Sequence, residues 1–236
     1  MLTVDTMRIE MGDFSLAGDF KIAAGPRVAV LGPSGAGKST LLAAIAGFQP
    51  LDAGLILWND TPMPKDPAAR PISMVFQDNN LFPHLTVAQN VGLGLRPNLR
   101  LSVEDNSRVA NALTRVGLEG MGDRKPAQLS GGQIARVALA RVLMRDRPVL
   151  LLDEPFGALG PALKAEMLDL VRTLLDETGA TLLMVSHAPE DARVLCDQVV
   201  LVADGVAHAP VATEEMFDNP PEVMREYLGD STGLKP

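Results

Sequence analysis

Residues 27–47 of the chain, RVAVLGPSGAGKSTLLAAIAG, decide which fold to expect. An apolar, β-branched run leads into a glycine-rich segment, and a run of helix-forming residues begins directly after that segment. The segment 32–40, GPSGAGKST, has the spacing Gly-x-x-x-x-Gly-Lys-Ser between the strand and the helix, which is the pattern of a phosphate-binding loop. The pattern therefore predicts a strand–loop–helix unit that binds a nucleoside triphosphate.

The residue types in this loop suit phosphate chemistry. Its glycines allow backbone N–H groups to converge on one point, and the following helix N-terminus favours an anion. We expect Lys38 to reach the β and γ phosphates and Ser39 to offer its hydroxyl to Mg²⁺. A glycine-rich turn without a ligand is the alternative, but it would not require the lysine and the hydroxyl. The expected ligand is ATP or GTP. The predicted binding residues are Gly32, Pro33, Ser34, Gly35, Ala36, Gly37, Lys38, Ser39 and Thr40.

Three later apolar runs indicate the rest of the core. Residues 148–154, 181–187 and 197–205 are short, continuous and bounded by polar residues, as buried parallel strands are. A helical pattern at 161–179 separates the first two runs and ends at Gly179. The chain is therefore predicted to have an α/β fold. Its core is a mostly parallel sheet of the P-loop NTPase (RecA-like) kind, with an N-terminal antiparallel β-subdomain and an inserted helical subdomain.

The subdomain boundaries follow from the same patterns. Residues 1–236 are predicted to form a single domain. The nucleotide-binding core and β-subdomain are expected at 1–77 and 148–210, the helical subdomain at 78–147, and a short tail at 211–236.

Overall charge and cysteine content exclude several classes of protein. The net charge of −8 gives no bulk attraction for nucleic acid, and the single cysteine, Cys196, excludes a disulfide within the chain. The N-terminus lacks a basic segment followed by an apolar run, and no stretch approaches the ~18 apolar residues that span a bilayer. We therefore expect no signal peptide and no membrane span. The arginines at 136, 141, 145 and 147 are expected to form a solvated helix face, with a subunit or nucleotide contact as the alternative.

Polar residues at the ends of two predicted strands are candidates for the chemistry. Asp153 and Glu154 close the run 148–154, and open parallel sheets bind ligands at that end. Asp153 is the expected partner of Mg²⁺, and Glu154 can polarise an attacking water. His187 follows the run 181–185 and suits a sensor of the γ-phosphate, although a structural histidine is the alternative.

The segment LSGGQ, residues 129–133, is a second anion site. Two glycines weaken the start of a helix, but exposed N–H groups, a hydroxyl and a positive dipole end attract phosphate. The candidate residues are Ser130, Gly131, Gly132 and Gln133. Because the chain already has a phosphate loop, two anion sites for one nucleotide are explained by two copies that pair head to tail around ATP.

The chain resembles the ATP-binding subunits of ABC transporters over residues 2–210. The resemblance rests on five motifs in a fixed order: the phosphate loop, FQDNN around Gln77, LSGGQ, LLLDEP and SH. The resemblance implies an ATP-sandwich homodimer on a separate membrane permease, at the cytoplasmic face of the bacterial inner membrane. It implies catalytic roles for Glu154, His187 and Gln77, and Mg²⁺ ligation by Ser39, Gln77 and Asp153.

Within that family, FQDNNLFPHLTVAQNVGLGL and LLMVSHAPEDA resemble the thiamine-import ATPases of proteobacteria. The implied function is ATP hydrolysis that powers uptake of thiamine and its phosphates, delivered by a periplasmic solute-binding protein. Alternatives are an importer of molybdate, sulfate or polyamine, a non-transport ABC ATPase, and a nucleotide-binding regulator without turnover.

The chain departs from the family pattern at a few positions. Gly160 stands where aspartate is usual, and Ile134 and Ala135 stand where polar residues are usual. Met11 matches the position of an aromatic residue that stacks on adenine, with Phe14 nearby and Trp58 farther on. The sequence leaves open which of these residues contacts the base.

Overall fold

The computed structural model describes residues 1–228. Those residues divide into two compact units. Unit 1 holds residues 1–72, 149–151 and the described residues from 179 onward, and unit 2 holds Ser73–Pro148 and Leu152–Thr178. The predicted subdomain boundaries, with the helical insertion at 78–147, stay a prediction.

The strands of the described residues belong to one mixed sheet. They are β1 (Leu2–Met11), β2 (Phe14–Ile22), β3 (Arg27–Leu31), β4 (Ala53–Trp58), β5 (Thr61–Pro62), β6 (Ile72–Val75), β7 (Val149–Asp153), β8 (Thr181–Val185), β9 (Gln198–Ala203), β10 (Val206–Ala207) and β11 (Val211–Ala212). Their order is β5-β4-β1-β2-β10-β9-β3-β8-β7-β6, with β11 paired to β9. β6 and β7 begin in unit 1, and their later residues belong to unit 2.

The N-terminal part of the sheet is antiparallel, as predicted. β1 pairs with β2 through a tight hairpin, and its other edge pairs with β4. β1 carries a register shift between Val4 and Met7, where Thr6 has a φ of 44°. Toward the centre of the sheet β3 lies parallel to both β8 and β9. The predicted α/β fold class is therefore confirmed.

The central strand β3 explains why the phosphate loop has a rigid base. Val28, Ala29, Val30 and Leu31 have no exposed surface, because both faces of the parallel strands are covered. Helix α1 (Lys38–Ala46) buries its apolar residues and ends at Gly47, which has a φ of 89°. The Arg70 guanidinium donates to the carbonyls of Ala44 and Ile45 at 2.8 and 2.6 Å and so closes this end of α1.

Helices dominate unit 2. They are α2 (Val87–Gly92), α3 (Val103–Arg115), α4 (Gly131–Leu143) and α5 (Pro161–Thr178). A compact apolar cluster joins the first three, formed by Val87, Val91, Val109, Ala112, Leu113, Val116, Leu118, Val137 and Ala140. α2, α3 and α4 each begin with a capping box, which satisfies the backbone N–H groups of the N-cap residue and of the third helical residue.

The C-terminal part of unit 1 contains three short helices, α6 (Pro189–Leu195), α7 (Thr213–Asp218) and α8 (Glu222–Leu228). The Arg193 guanidinium lies 4.2 Å from the centre of the Phe217 ring and links α6 to α7. Residues 229–236 of the predicted tail lie outside the described residues. Among helices in the described part of the chain, none has the length and apolar content needed to cross a membrane.

Candidate nucleotide site

The phosphate loop follows β3 directly, as the motif predicts. Gly32 has a φ of 147°, and a Cβ there would lie 2.0 Å from the Val202 carbonyl oxygen, so only glycine fits. Gly37 has a φ of 104°, and a Cβ there would lie 2.8 Å from Cζ of Phe14. The loop is therefore wedged between β9 and the β1–β2 hairpin, which fixes its shape.

The side chain of Lys38, the first residue of α1, folds back into the phosphate loop that precedes it. Its side chain is buried, and Nζ donates to the carbonyls of Gly32 and Pro33 at 2.8 Å each. These two bonds compensate part of the cost of burying the ammonium group. The result is a positive charge held against two backbone carbonyls of the loop.

The N-terminus of α1 is open to an anion. Its N-cap, Gly37, offers no side-chain oxygen, and the first turn contains no acidic residue. The first N–H groups of a helix have no intrahelical partner, and the helix dipole places partial positive charge there. In contrast to α2, α3 and α4, α1 has no capping side chain that would compete with an anion at this end.

A pocket of about 410 Å³ adjoins the phosphate loop in unit 1. It is lined by Asp13, Phe14, Ser15, Pro33, Ser34, Gly35, Ala36, Asp204 and Gly205. Met11 pairs with Phe14 across the hairpin and is 42% exposed, whereas Trp58 pairs with Leu2 at the opposite end of β1. Of the three residues considered from sequence, Phe14 lines this pocket.

His187 lies at the same edge of unit 1 as the phosphate loop. Val30 of β3 is in register with Val185 of β8, so Gly32 and His187 each follow the carboxyl end of neighbouring parallel strands. The His187 side chain is exposed, while its backbone is held on both sides. Ser186 Oγ bonds the Asp191 carboxylate and accepts from Ala188 N–H at 3.1 Å, and the Tyr227 hydroxyl donates to the His187 carbonyl at 3.1 Å.

The predicted acid pair belongs to unit 2. Asp153 is the last residue of β7 and is 8% exposed, and Glu154 follows it. Glu154 has a φ of 48°, which is uncommon for a residue with a long side chain. Backbone strain of this kind costs about 1–3 kcal/mol and persists where the surroundings hold the side chain in one direction.

Gln77 lies at the tip of an exposed turn in unit 2. The turn is closed by Asn79 N–H, which donates to the Phe76 carbonyl at 2.9 Å. Asn79 and Asn80 then adopt φ values of 56° and 44°. Gln77 itself is exposed in this turn, which follows β6.

The LSGGQ segment begins α4, and Ser130 is its N-cap. Ser130 Oγ accepts from Gln133 N–H at 3.3 Å, and Gln133 Oε1 accepts from Ser130 N–H at 2.9 Å. Gln133 therefore contributes to the helix start itself. Gly132 is buried, and a Cβ there would lie 2.4 Å from Cδ2 of Leu163 on α5, whereas Gly131 is exposed.

Of the four arginines predicted to form a solvated helix face, Arg136 and Arg141 lie in α4 and bond inward, whereas Arg145 and Arg147 follow the helix and are exposed. Arg136 donates to the Val116 carbonyl and to Glu166, at 2.9 and 3.0 Å. Arg141 donates to the backbone carbonyls that follow Gln77. The basic run in the sequence did not indicate these carbonyl and carboxylate partners.

A groove of about 480 Å³ in unit 2 was missed by sequence reasoning. It is lined by Met74, Phe76, Asn80, Leu81, Phe82, Leu93, Gly94, Arg141, Val142 and Arg145. Phe82 is 47% exposed, and burial lowers the pKa of Arg141 and of Arg145. Because the lining comes from separate segments, no local motif indicates the groove.

Comparison with known proteins adds to this geometry. The sequence profile described as ABC transporter matches residues 17–157. The thiamine import ATP-binding protein ThiQ of Ruegeria sp. (strain TM1040) is 57% identical over 230 residues, which are 97% of this chain and 100% of that protein. The protein of the same name from Brucella suis biovar 1 (strain 1330) is 52% identical over 233 residues, 97% of this chain and 96% of that protein.

Solved structures with the same fold include an ATP-binding cassette and a part of an ABC transporter complex. The ATP-binding cassette MJ0796, in a dimeric post-hydrolysis state bound to ADP and Pi, aligns with a TM-score of 0.78 and 30% identity. The alignment covers 90% of this chain and 99% of that one. The protein cbiO1 from Clostridium perfringens, part of the ABC transporter complex cbiONQ, aligns with a TM-score of 0.79 and 32% identity over 95% of this chain and 93% of that one.

Proposed function

Because this chain belongs to the ABC transporter family, we propose that it is the ATP-hydrolysing subunit of an importer for thiamine and its phosphates. The thiamine cargo is supported by relatives named for thiamine import that align along nearly the whole chain. The ATPase activity is carried by one structural observation, the loop folded around Lys38 and followed by an uncapped helix N-terminus. A polyphosphate would accept hydrogen bonds from the ammonium group and from backbone N–H groups at this helix N-terminus.

The donor groups suit ATP bound with Mg²⁺. Lys38 and the N–H groups of residues 32–40 hold the phosphates, where an uncapped helix without acidic residues favours negative charge. Ser39, Gln77 and Asp153 supply a hydroxyl, an amide oxygen and a carboxylate, the hard oxygen donors that Mg²⁺ prefers. Bound there, Mg²⁺ would neutralise charge that develops on the phosphate oxygens.

The pocket beside the phosphate loop receives the nucleoside. Phe14 offers an aromatic surface at the pocket wall, next to Gly37 of the loop. A base that packs on the Phe14 ring would gain the stacking and apolar contact that every purine offers. Met11, the cross-strand neighbour of Phe14, can extend this surface with its thioether.

Hydrolysis is assigned to Glu154 and His187. The Glu154 carboxylate orients the attacking water and accepts its proton as the oxygen approaches the γ-phosphorus. The His187 imidazole donates a hydrogen bond to a γ-phosphate oxygen and stabilises the charge that forms there. Gln77 helps to organise the same site.

The active unit is a homodimer with ATP between its subunits. Ser130, Gly131, Gly132 and Gln133 at the start of α4 face the triphosphate that the partner's phosphate loop holds. The cassette MJ0796 supports this arrangement, since it was solved as a dimer in two structures, one of them with ADP and Pi. Hydrolysis removes the shared γ-phosphate and loosens the pair.

The groove of unit 2 is the surface that a separate permease contacts at the cytoplasmic face of the inner membrane. Its exposed apolar ring at Phe82 and its cations at Arg141 and Arg145 suit a permease segment with an apolar side chain and an anionic or carbonyl group. A periplasmic solute-binding protein would act through the permease, without contact to this chain.

The decisive experiment is uptake of labelled thiamine in cells that lack this chain. The wild-type chain should restore uptake, and Lys38→Ala should not. If cells that lack the chain still take up thiamine normally but lose uptake of molybdate, sulfate or polyamine, the assignment of thiamine as the cargo is wrong. Absence of ATP hydrolysis by the purified wild-type chain with Mg²⁺ would overturn the ATPase itself.

A further inference from the structure

The turn that carries Gln77 is followed by two consecutive left-handed residues. Asn79 and Asn80 have φ values of 56° and 44°, a conformation that asparagine tolerates better than most residues but that still opposes its intrinsic preference. The Asn79 side-chain oxygen is buried and has no hydrogen-bond partner among residues 1–228. The turn therefore needs support from outside its own residues.

Arg141 of α4 supplies this support. Its guanidinium donates from one nitrogen to the Asn79 carbonyl at 2.8 Å and from the other to the Asn80 carbonyl at 2.7 Å. A planar fork that grips two successive carbonyls fixes their orientation, because both peptide planes must present their oxygens to one rigid group. Burial lowers the pKa of Arg141, as expected for a guanidinium whose water has been replaced by these carbonyls.

The far side of the same segment is also clamped. Asn90 of α2 has no exposed surface, accepts from Phe82 N–H at 2.8 Å, and donates to the carbonyls of Phe82 and Thr86 at 3.1 and 3.0 Å. The chain from Asn79 to Thr86 is thus held at both ends by side chains of α4 and α2. Gln77 lies just before this segment, so its orientation depends on the grip of Arg141.

We propose that Arg141 is a positioning residue for Gln77. This inference rests on the proposed function, in which Gln77 organises the ATP site. The same helix begins with Ser130 and Gly131, and at a rise of about 1.5 Å per residue Arg141 lies about 15 Å along it. A movement of α4 that accompanies engagement of the partner's ATP would therefore carry the Gln77 turn with it.

The test is a double-mutant cycle between Arg141 and Gln77, read as kcat and KM for ATP with Mg²⁺. Arg141→Met should lower kcat about 10-fold while KM for ATP changes less than about twofold, since the phosphate loop is untouched. In a Gln77→Ala background, Arg141→Met should lower kcat by less than about twofold, because its effect passes through Gln77. Arg141→Lys, which can still donate to a carbonyl, should recover part of the rate.

A control separates positioning from general loss of structure. Arg115→Met removes an arginine of unit 2 that bonds Glu177 at the surface, and kcat should stay within about twofold of wild type. Thermal unfolding shows whether each variant is folded. If Arg141→Met does not fold, Arg141→Lys takes its place in the double-mutant cycle with Gln77→Ala. If the fold losses in kcat of the two single variants multiply in the double variant, Arg141 does not act through Gln77. That result would leave the proposed ATPase activity unaffected. A wild-type chain without ATPase activity overturns the proposed function instead.

Discussion

Gly131 and Gly132 stand side by side at the start of α4, yet their surroundings differ. Gly132 faces α5, where a Cβ would lie 2.4 Å from Leu163 Cδ2. Gly131 is exposed, and the nearest atom to a Cβ there would be Leu159 Cδ2 at 3.9 Å, an ordinary contact. Packing within the chain therefore explains Gly132, whereas no contact among the described residues requires glycine at position 131, where we propose that the partner's ATP does.

Alanine at each glycine should separate these two reasons. Gly132→Ala forces Leu163 to move, and we expect the free energy of unfolding to fall by about 1 kcal/mol after the gain in helix propensity. Gly131→Ala should raise the free energy of unfolding by about 0.5 kcal/mol and yet impair ATP hydrolysis. Denaturant unfolding and ATPase rates measure both effects. A Gly131→Ala variant with the wild-type ATPase rate would show that Gly131 does not contact nucleotide.

At the scale of single elements, the start of α3 depends on one carboxylate. Asp105 accepts from Arg96 Nε at 2.5 Å and from Ser102 N–H at 3.1 Å. The hydrogen bond from Arg96 and the backbone hydrogen bond from Ser102 hold the pKa of Asp105 below its ordinary value of 3.8. A carboxyl group whose pKa is lowered by folding stabilises the protein above its unfolded pKa, and this contribution is lost as the pH falls through the folded pKa.

Asp105→Asn should expose this pH dependence. Near neutral pH the variant should unfold more easily than wild type, and the difference should shrink as the pH falls below about 4. Denaturant titration at a series of pH values measures the difference. Asp60→Asn, in an exposed turn, is the control and should change the free energy of unfolding by less than about 0.5 kcal/mol at every pH. If the difference in free energy of unfolding between wild type and Asp105→Asn does not vary with pH, ionised Asp105 does not contribute the predicted stabilisation.

The start of α5 differs from the other long helices of unit 2 in its cap. Lys164 N–H donates to the Gly160 carbonyl at 2.9 Å, so Gly160 is at the N-cap position and has no side chain to cap the helix. A Cβ at Gly160 would have nothing within 4 Å, and the backbone there does not require glycine. The fold therefore accepts the aspartate that the family pattern leads one to expect.

Gly160→Asp should stabilise the chain by about 0.5–1 kcal/mol, through a new N-cap oxygen and a less flexible unfolded state. The resemblance to the family implies an aspartate here that helps to join the two active sites, so we expect the substitution also to change the ATPase rate or its coupling to transport. Thermal unfolding and steady-state ATPase assays test the two parts separately. If Gly160→Asp raises the stability but leaves the ATPase kinetics and transport unchanged, the residue at position 160 affects the helix start and not the coupling of the two sites.

At the scale of the whole molecule, Glu154→Gln should trap the dimer. The substitution removes the group that accepts the proton but keeps the side-chain size, so kcat should fall at least about 100-fold while ATP binding persists. With ATP and Mg²⁺, gel filtration with light scattering should report twice the mass of the chain. Adding Lys38→Ala should return the variant to a monomer. If Glu154→Gln alone elutes only as a monomer, ATP does not join two copies.

The sequence indicated much of this protein because the deciding patterns are local. The spacing of Gly32, Gly37 and Lys38 between an apolar strand and a helix suffices to predict the phosphate loop, because the pattern lies in successive residues. The continuous apolar runs predicted the buried strands for the same reason. The roles of Gln77, Ser130, Asp153, Glu154 and His187 stay predictions, because they depend on nucleotide, Mg²⁺ and a second copy.

What the sequence determined by itself was therefore the α/β class, the family and the candidate residues, because each is recorded in the order and spacing of neighbours along the chain. Tertiary structure alone decided that Phe14 lines the pocket beside the loop, that Gly132 packs on Leu163, and that Arg141 grips the turn after Gln77. These contacts join residues far apart in sequence. Whether a guanidinium meets water or a backbone carbonyl depends on how the helices pack, which no local spacing specifies.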